Sequence, residues 1–569
     1  MNPETVKVRL EPLAVEVDIP LDTSLISSLS DHGIEFPCGG TGLCGGCGVR
    51  VLAGSLKITD ADRAVFTPEE LDKGWRLACQ ARAQAPLVLE CGQWHMDVLA
   101  DTTAYSAASL TAAAGLPAVA GKRGLGIAID LGTTTIAAQI VDLASGNVLG
   151  VETGLNPQAR FGSDVMTRIR ASLAGDDLTA VVRIALGETV ARLARGREQQ
   201  VDEVILVGNT VMHHLFSGRS VEPLAAVPFA SPHLGVQSFR PSELGWQLPT
   251  ACAIRFAHCL GGFVGSDILA GIIATGMATG DDLIALVDLG TNGEIAIGNR
   301  NGIVCASTAA GPAFEAGAIR MGMRAATGAI SYVSLSDAEH RTSLIGTGHG
   351  TSLKGTGHRT RLKGTGFSPY ANPTKSTGAL APEGPFLQPG PFSVGELKVT
   401  VIGDVEPRGI CGSGLVDAVA VGLRTGAILP SGRIAGGSKV FPIAGPVVLY
   451  QADIRELQLA KAAIAAGFKL LLKRLDAQVS DLKSIHLAGA FGNYVQIESA
   501  IRIGLIDIGS ARAPRELVHA AGNTALRGAR MLLATGEPAL PIIEHVSLAA
   551  DPGFQDEFAD SMSFPVPAD

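Results

Sequence analysis

Gly126-Ile127-Ala128-Ile129-Asp130-Leu131-Gly132-Thr133-Thr134-Thr135 reads as a buried strand ending in an Asp and a Gly/Thr turn, with a second strand from Ile136 to Val141. The design returns at Leu283-Ile284-Ala285-Leu286-Val287-Asp288-Leu289-Gly290-Thr291-Asn292-Gly293, where Glu294 to Ile297 supplies the next strand. A second pair also repeats: Val204-Ile205-Leu206-Val207-Gly208-Asn209-Thr210, and Ile485-His486-Leu487-Ala488-Gly489-Ala490-Phe491-Gly492-Asn493. Each half therefore runs Asp-Gly hairpin, third strand, helix, strand with a Gly-rich end, helix. Tight Gly/Thr turns present N–H and hydroxyl donors to phosphate oxygens, and a strand-end Asp can hold Mg²⁺ or its water. A Gly-rich strand end admits a flat adenine or a ribose at close range. If each turn only closed a hairpin and each Asp only capped a helix, the repetition would be unexplained.

Outward from these stretches, 569 residues are too many for one hydrophobic core, and two to four domains are expected. With 46% apolar residues, 17% charged residues and 70 Gly, the composition is that of an α/β protein with many tight turns. A formal charge of −9 disfavours nucleic acid or anionic lipid as the main partner. The most apolar stretches, such as Ile268 to Gly280, fall short of the ~20 residues needed to span a bilayer. Met1-Asn2-Pro3-Glu4-Thr5 has neither the basic nor the apolar region of a secretory signal, so a cytoplasmic location is expected.

The N-terminal region has its own signature. Val6 to Leu10 and Val15 to Ile19 alternate apolar and polar residues around Glu11-Pro12-Leu13, which predicts a hairpin, and a helix is expected from Ser24 to His32. Then comes Cys38-Gly39-Gly40-Thr41-Gly42-Leu43-Cys44-Gly45-Gly46-Cys47, with Cys79 later inside Arg76-Leu77-Ala78-Cys79-Gln80. Four thiolates suit a two-iron cluster, and a glycine loop can wrap it while aiming N–H groups at its sulfurs. Structural zinc is the rival, but zinc sites usually pair their Cys in two knuckles, and here the fourth stands alone. The arrangement resembles [2Fe-2S] ferredoxins of β-grasp fold over residues 1–95, with Cys38, Cys44, Cys47 and Cys79 as metal ligands. Cys91, Cys252 and Cys259 read as buried small hydrophobes. Residues 96–124, rich in Ala, Ser and Thr, read as a linker.

From residue 125 onward the layout resembles the superfamily of acetate kinases, sugar kinases, Hsp70 and actin. The resemblance implies an α/β domain of two RNase H-like halves, 125–220 and 221–569, that binds ATP and Mg²⁺. It assigns phosphate-binding roles to Asp130, Gly132, Thr133 and Thr134, and to Asp288, Gly290, Thr291 and Asn292. Gly489 and Gly492 take an adenosine role.

Further stretches narrow the match: Asn156-Pro157-Gln158 through Phe161-Gly162-Ser163-Asp164-Val165, Gly208 to His214, Gly262-Phe263-Val264-Gly265-Ser266-Asp267, Ala309 to Glu315, and Gly409-Ile410-Cys411-Gly412-Ser413-Gly414. They resemble the reductive activators of corrinoid proteins over nearly the whole chain. The resemblance implies reduction of Co(II) to Co(I) on a corrinoid protein of a methyltransferase system, an upstream electron donor (a reductase or ferredoxin), and a homodimer. Co(I) is strongly reducing, and a plant-type cluster near about −400 mV needs help to make it. Each 0.1 V uphill costs about 2.3 kcal/mol per electron, a size that nucleotide binding can supply.

One region departs from the family pattern. A nine-residue Gly-Thr-Gly repeat carrying His349 and His358 sits in an expected flexible insertion at about 333–396, where solvated histidines are the reading. His213 and His214 are expected on a helix with one ring facing the cleft, in a core or capping role. Cys411 reads as a close-packing residue. The alternatives are a small-molecule kinase with a regulatory ferredoxin, for which Asp164 or Glu315 is the candidate catalytic carboxylate, and an Hsp70-like ATPase. No recognisable sugar site accompanies the first, and the second would not need four cluster ligands in its own chain.

Overall fold

Alternating burial along β1 (Thr5–Glu11), with every second side chain inward, places it on a half-covered sheet. It pairs antiparallel with β2 (Val15–Pro20), which is the expected hairpin. β3 (Gly48–Ala53), β4 (Trp75–Leu77) and β5 (Leu87–Cys91) complete a sheet of order β2-β1-β5-β3-β4, in which β1 and β5 are parallel. The expected first helix spans Leu25–Ser30. Two short helices, Asp60–Val65 and Pro68–Asp72, each open on a capping box, Thr59 with Asp62 and Thr67 with Glu70, which fixes the approach to β4. The structure is a computed structural model describing residues 5–11, 15–30, 34, 42, 47–91, 123–162, 164–290, 292–316, 318–325, 327–335, 397–489, 495–508 and 514–566. The expected linker up to residue 122, the insertion from 336 to 396, Cys38, Cys44, Thr291 and Gly492 lie outside the described residues.

The two repeated sequence designs fold alike. β6 (Leu125–Leu131), β7 (Thr135–Asp142) and β8 (Val148–Leu155) form an antiparallel meander, and β9 (Val201–Gly208) lies parallel to β6. β10 (Gln237–Phe239) and β11 (Ala253–Phe256) extend this sheet beyond β9. The first half therefore runs past the boundary expected at residue 220, because β11 continues the ladder on β9. In the second half β12 (Leu283–Leu289), β13 (Gly293–Asn299) and β14 (Gly302–Thr308) repeat the meander. β15 (Ala329–Leu335), β16 (Leu397–Val401) and β17 (Gly409–Ile410) form a small separate sheet, and β18 (Val440–Ala444) with β19 (Val447–Tyr450) a hairpin. β20 (Leu482–Ala488) lies parallel to β12, with β21 (Val518–Gly522) and β22 (Ile543–His545) at the two edges. The ladder joins Leu335 to Leu397, so β15 reaches beyond residue 333, where the insertion was expected to start.

The halves are locked by exchanged helices. Helix Thr524–Thr535 puts Leu526, Ala529 and Leu533 against Ala128, Ile205 and Val207 of the first sheet. Helix Ser266–Thr275 puts Ile268 and Ile272 against Leu286, Ala296 and Cys305 of the second. Where the two helices cross, a Cβ on Gly528 would lie 2.0 Å from the Ala270 carbonyl oxygen, so only glycine permits the approach.

The N-terminal domain touches both halves. Leu155, at the end of β8, packs on its core, and Arg408 Nη2 lies 2.8 Å from Glu70 Oε1. No helix among the described residues is long and apolar enough to cross a membrane.

Candidate functional site: an acidic cleft and a cysteine pair

Each strand-end turn is closed by its glycine N–H, three residues on in the first and two in the second. Gly132 N–H donates to the Thr135 carbonyl at 3.0 Å, and Gly290 N–H to the Asn292 carbonyl at 3.0 Å. Thr133 and Thr134 stand half-exposed at the first turn. Asn156 braces that turn from behind, its N–H on the Thr134 carbonyl and its Nδ2 on the Gly132 carbonyl, both at 2.9 Å. Asn209 Nδ2 holds the Thr133 hydroxyl at 2.9 Å while Asn209 Oδ1 caps helix Thr210–Ser217. Two partly accessible hydroxyls on a braced turn are what a phosphate group needs.

Four carboxylates gather at the floor between the halves. Asp130 ends β6, Asp288 ends β12, Asp267 lies in the first turn of helix Ser266–Thr275, and Glu294 sits on β13 directly opposite Asp288. Burial pushes the Asp130 carboxyl up to about 6, opposed by a 2.7 Å hydrogen bond from Asn523 Nδ2. Burial and then the charge of Asp130 push Asp288 up to about 7. Burial, Asp288 and Asp130 push Asp267 up to about 8. Burial, Asp267 and Asp288 hold Glu294 well above the usual carboxylate range. Like charges directly opposite across a ladder are destabilising, so the Asp288–Glu294 pair is an unfavourable arrangement that a cation would relieve. Among the described residues no three acidic, His or Cys groups are close enough to cage a metal by themselves. Mg²⁺ takes one or two carboxylates and completes its shell with water and phosphate oxygens.

Gly489 serves this floor directly. With φ +84°, a Cβ there would lie 2.5 Å from Asp288 Oδ1 and 2.7 Å from the Leu289 carbonyl oxygen. The close approach it permits within the protein is that of the Asp288 strand end.

The candidate catalytic carboxylates meet elsewhere. Asp164 Oδ1 accepts from Met166 and Thr167 N–H at 2.8 and 2.9 Å, capping helix Val165–Leu173. Arg168 on that helix is fully buried; burial lowers it to about 9, while the charges of Asp164 and Glu315 favour its ionised form and Arg324 opposes it. The structure thus brings Asp164 and Glu315 together around a buried arginine. Asp164 caps its helix, and both carboxylates act on the charge of Arg168. His213 and His214 are both fully buried, so neither ring faces the cleft as expected. His214 bonds the Thr210 carbonyl at 2.8 Å and the Ser231 hydroxyl at 2.7 Å, and His213 the Gly235 carbonyl at 3.2 Å.

In the N-terminal domain Cys47 and Cys79 are buried and adjacent through the β3–β4 ladder, with Ala78 N–H donating to the Cys47 carbonyl at 3.1 Å. Gln80 Nε2 lies 3.5 Å from Cys79 Sγ. Gly42, at φ +79°, packs so closely on Ala61 and Gln80 that a Cβ would stand 3.0 Å from each. Two buried cysteines whose backbones are brought together, a donor to sulfur and a closely packed Gly42 fit a cluster ligated by Cys thiolates. Cys91, Cys252 and Cys259 are buried and their thiols pushed up by burial, which matches the small-hydrophobe reading. Cys411 is buried at the N-cap of helix Gly412–Arg424.

Comparison with known proteins fits this geometry. Residues 125–280 match the family description "RACo middle region", and residues 282–364 and 392–568 match "C-terminal domain of RACo the ASKHA domain". Residues 8–84 match a 2Fe-2S iron-sulfur cluster binding domain. The chain belongs to the RACo family. This RACo chain is 29% identical to the corrinoid activation enzyme RamQ of Eubacterium limosum, over 77% of its own length and 70% of the relative's. It is 26% identical to the [Co(II) methylated amine-specific corrinoid protein] reductase of Methanosarcina barkeri, over 77% of each. A solved reductive activator for corrinoid, iron-sulfur protein superposes with a TM-score of 0.58 at 25% identity, covering 98% of both chains.

Three polar residues of this RACo cleft escaped sequence reasoning as site residues: Asp267, Glu294 and Asn523. The signal for Asn523 was present, because Gly522-Asn523-Thr524 repeats Gly208-Asn209-Thr210, and both Asn residues cap a helix while holding a turn or Asp of the first half. Asp267 stands at the end of the Gly262–Asp267 stretch and Glu294 faces Asp288 across the β12–β13 hairpin, but only the crossing of the halves brings Asp267 to that pair.

Proposed function

We propose that the protein reductively activates a corrinoid protein, reducing Co(II) to Co(I) by one electron in an ATP-dependent reaction. The observation that carries the proposal is the union in one chain of a cluster-binding domain with a two-turn cleft whose four mutually repelling carboxylates call for a cation and its phosphate ligand. Cys38, Cys44, Cys47 and Cys79 would hold a [2Fe-2S] cluster, which when bound supplies one-electron transfer. Thr133, Thr134, Thr291 and Asn292 would receive the phosphates on turns that Gly132 and Gly290 close, and Asp130 and Asp288 would hold the Mg²⁺ shell, with Gly489 and Gly492 beside the adenosine. Asp267 and Glu294 keep that shell acidic, while Asn156 and Asn209 hold the first turn open toward the nucleotide. The electron donor to the cluster would be a reductase or ferredoxin, and a homodimer is part of the same reading, tested by light scattering in solution.

The test mixes the purified protein, a corrinoid protein and a reductant, with and without ATP·Mg²⁺, and follows the Co(I) absorption band. ATP-dependent growth of the band in wild type, lost in Cys79→Ser and in Asp288→Asn, is the expected result. A Cys79→Ser variant that reduces the corrinoid at the normal rate would remove the cluster from the electron path and favour a kinase.

A further inference from the structure

Leu155 and Arg408 belong to opposite halves of the ATP-binding domain, and both bear on the N-terminal domain. Leu155 pairs with Thr135 across β7 and β8, and its neighbour Asn156 is bonded to Thr134 and Gly132 of the phosphate turn. The apolar seat of the cluster domain is therefore attached to the turn that would grip nucleotide. On the other side Arg408 is fixed to the second half: its N–H donates to the Gly328 carbonyl at 2.8 Å, and its side chain lies against Gly328, where a Cβ would stand 3.1 Å from Arg408 Cδ. β17, which begins at the next residue, pairs with β15.

Glu70, the partner of Arg408, lies in the capped helix Pro68–Asp72, which leads through β4 directly into Ala78-Cys79-Gln80. A displacement at Glu70 is thus passed along a short, hydrogen-bonded segment to a cluster ligand. A rigid domain resting on both halves cannot keep both seats if the halves rotate. The half-exposed ion pair, with 30% and 27% of the two side chains accessible, is the weaker seat, because water and salt compete for both charges.

We propose that the cluster domain is a strap across the nucleotide cleft, seated on the first half through Leu155 and latched to the second through Glu70–Arg408. Closure of the halves on ATP opens the latch and frees the Cys79 side of the domain to approach the corrinoid protein. This inference rests on the reading that ATP binds between the two turns.

The test uses the full-length, cluster-loaded Arg408→Lys variant, since lysine keeps the charge but offers an amine that a carbodiimide can join to a touching carboxylate. A cross-link between positions 70 and 408, identified by mass spectrometry, is expected without nucleotide, and Glu70→Gln should abolish it. Saturating ATP·Mg²⁺ should lower its yield about tenfold, the response of a two-state latch driven to its open state. An undiminished yield while calorimetry shows ATP bound would overturn the latch and leave the cleft reading standing. Absence of the cross-link in every condition would also overturn it, and failure of ATP to bind would remove both the latch and the cleft reading.

Discussion

Asp130, Asp267 and Asp288 are raised to about 6, 8 and 7 in the folded protein, whereas free carboxyls titrate near pH 4. Their contribution to stability is therefore fully present below about pH 4 and is lost as pH rises through about 6 to 8, where the folded protein must hold charges that repel. A bound cation reverses that loss. The melting temperature should accordingly gain more from ATP·Mg²⁺ at pH 8 than at pH 5.5, by calorimetry. Asp288→Asn removes one charge of the Asp288–Glu294 pair. It should raise the melting temperature of the nucleotide-free protein at pH 8 by about 2 °C or more. The same variant should bind ATP·Mg²⁺ at least about tenfold more weakly. Cys79→Ser acts on the other site: it should abolish the visible cluster spectrum and leave the ATP dissociation constant within about twofold of wild type.

Elements decide how these residues meet. Helix Thr524–Thr535 begins at Asn523, which caps it through Oδ1 and holds Asp130 through Nδ2, so one residue joins the end of the second half to the floor of the first. Asn523→Ala should cost about 1 kcal/mol as a lost cap and also weaken ATP binding, which urea unfolding and calorimetry separate. Gly528→Val should be harsher, because a side chain would enter the Ala270 backbone at the helix crossing. A loss of about 3 kcal/mol or more in stability of the two halves is expected, with the cluster spectrum retained. A variant as stable as wild type would show that the helices slide apart easily. The strand-turn-strand units were legible because a Gly/Thr turn after an apolar run is a local signal, whereas the exchange of helices between sheets involves residues such as Ala128 and Leu526 that look alike wherever they pack.

At the scale of the whole molecule the cluster domain has its own core and, among the described residues, meets the two interlocked halves at Leu155 on one side and at Glu70–Arg408 on the other. Contacts of this size suit domains that move relative to one another. Raising the salt concentration should weaken the ion pair and leave the Leu155 contact intact. The carbodiimide cross-link in Arg408→Lys should therefore fall with ionic strength even without ATP, and a salt-independent yield would mean that the pair is buried in solution.

The sequence alone determined the cofactor class, the doubling of the Asp-Gly-Thr hairpin and the family, because cysteine spacing, glycine turns and strand periodicity are set by neighbours along the chain. It also placed Asp130 and Asp288 at strand ends. It misplaced the end of the first half, since β11 joins β9 across a long connection that no local pattern announces. Only the tertiary structure decided that Asp267 and Glu294 share the cleft floor, that Asp164 and Glu315 flank a buried arginine, and that Gly489 makes room for Asp288. The physical reason is common to all of these. Coulomb interaction and steric exclusion act over a few ångströms of space, between groups that lie tens or hundreds of residues apart in the chain.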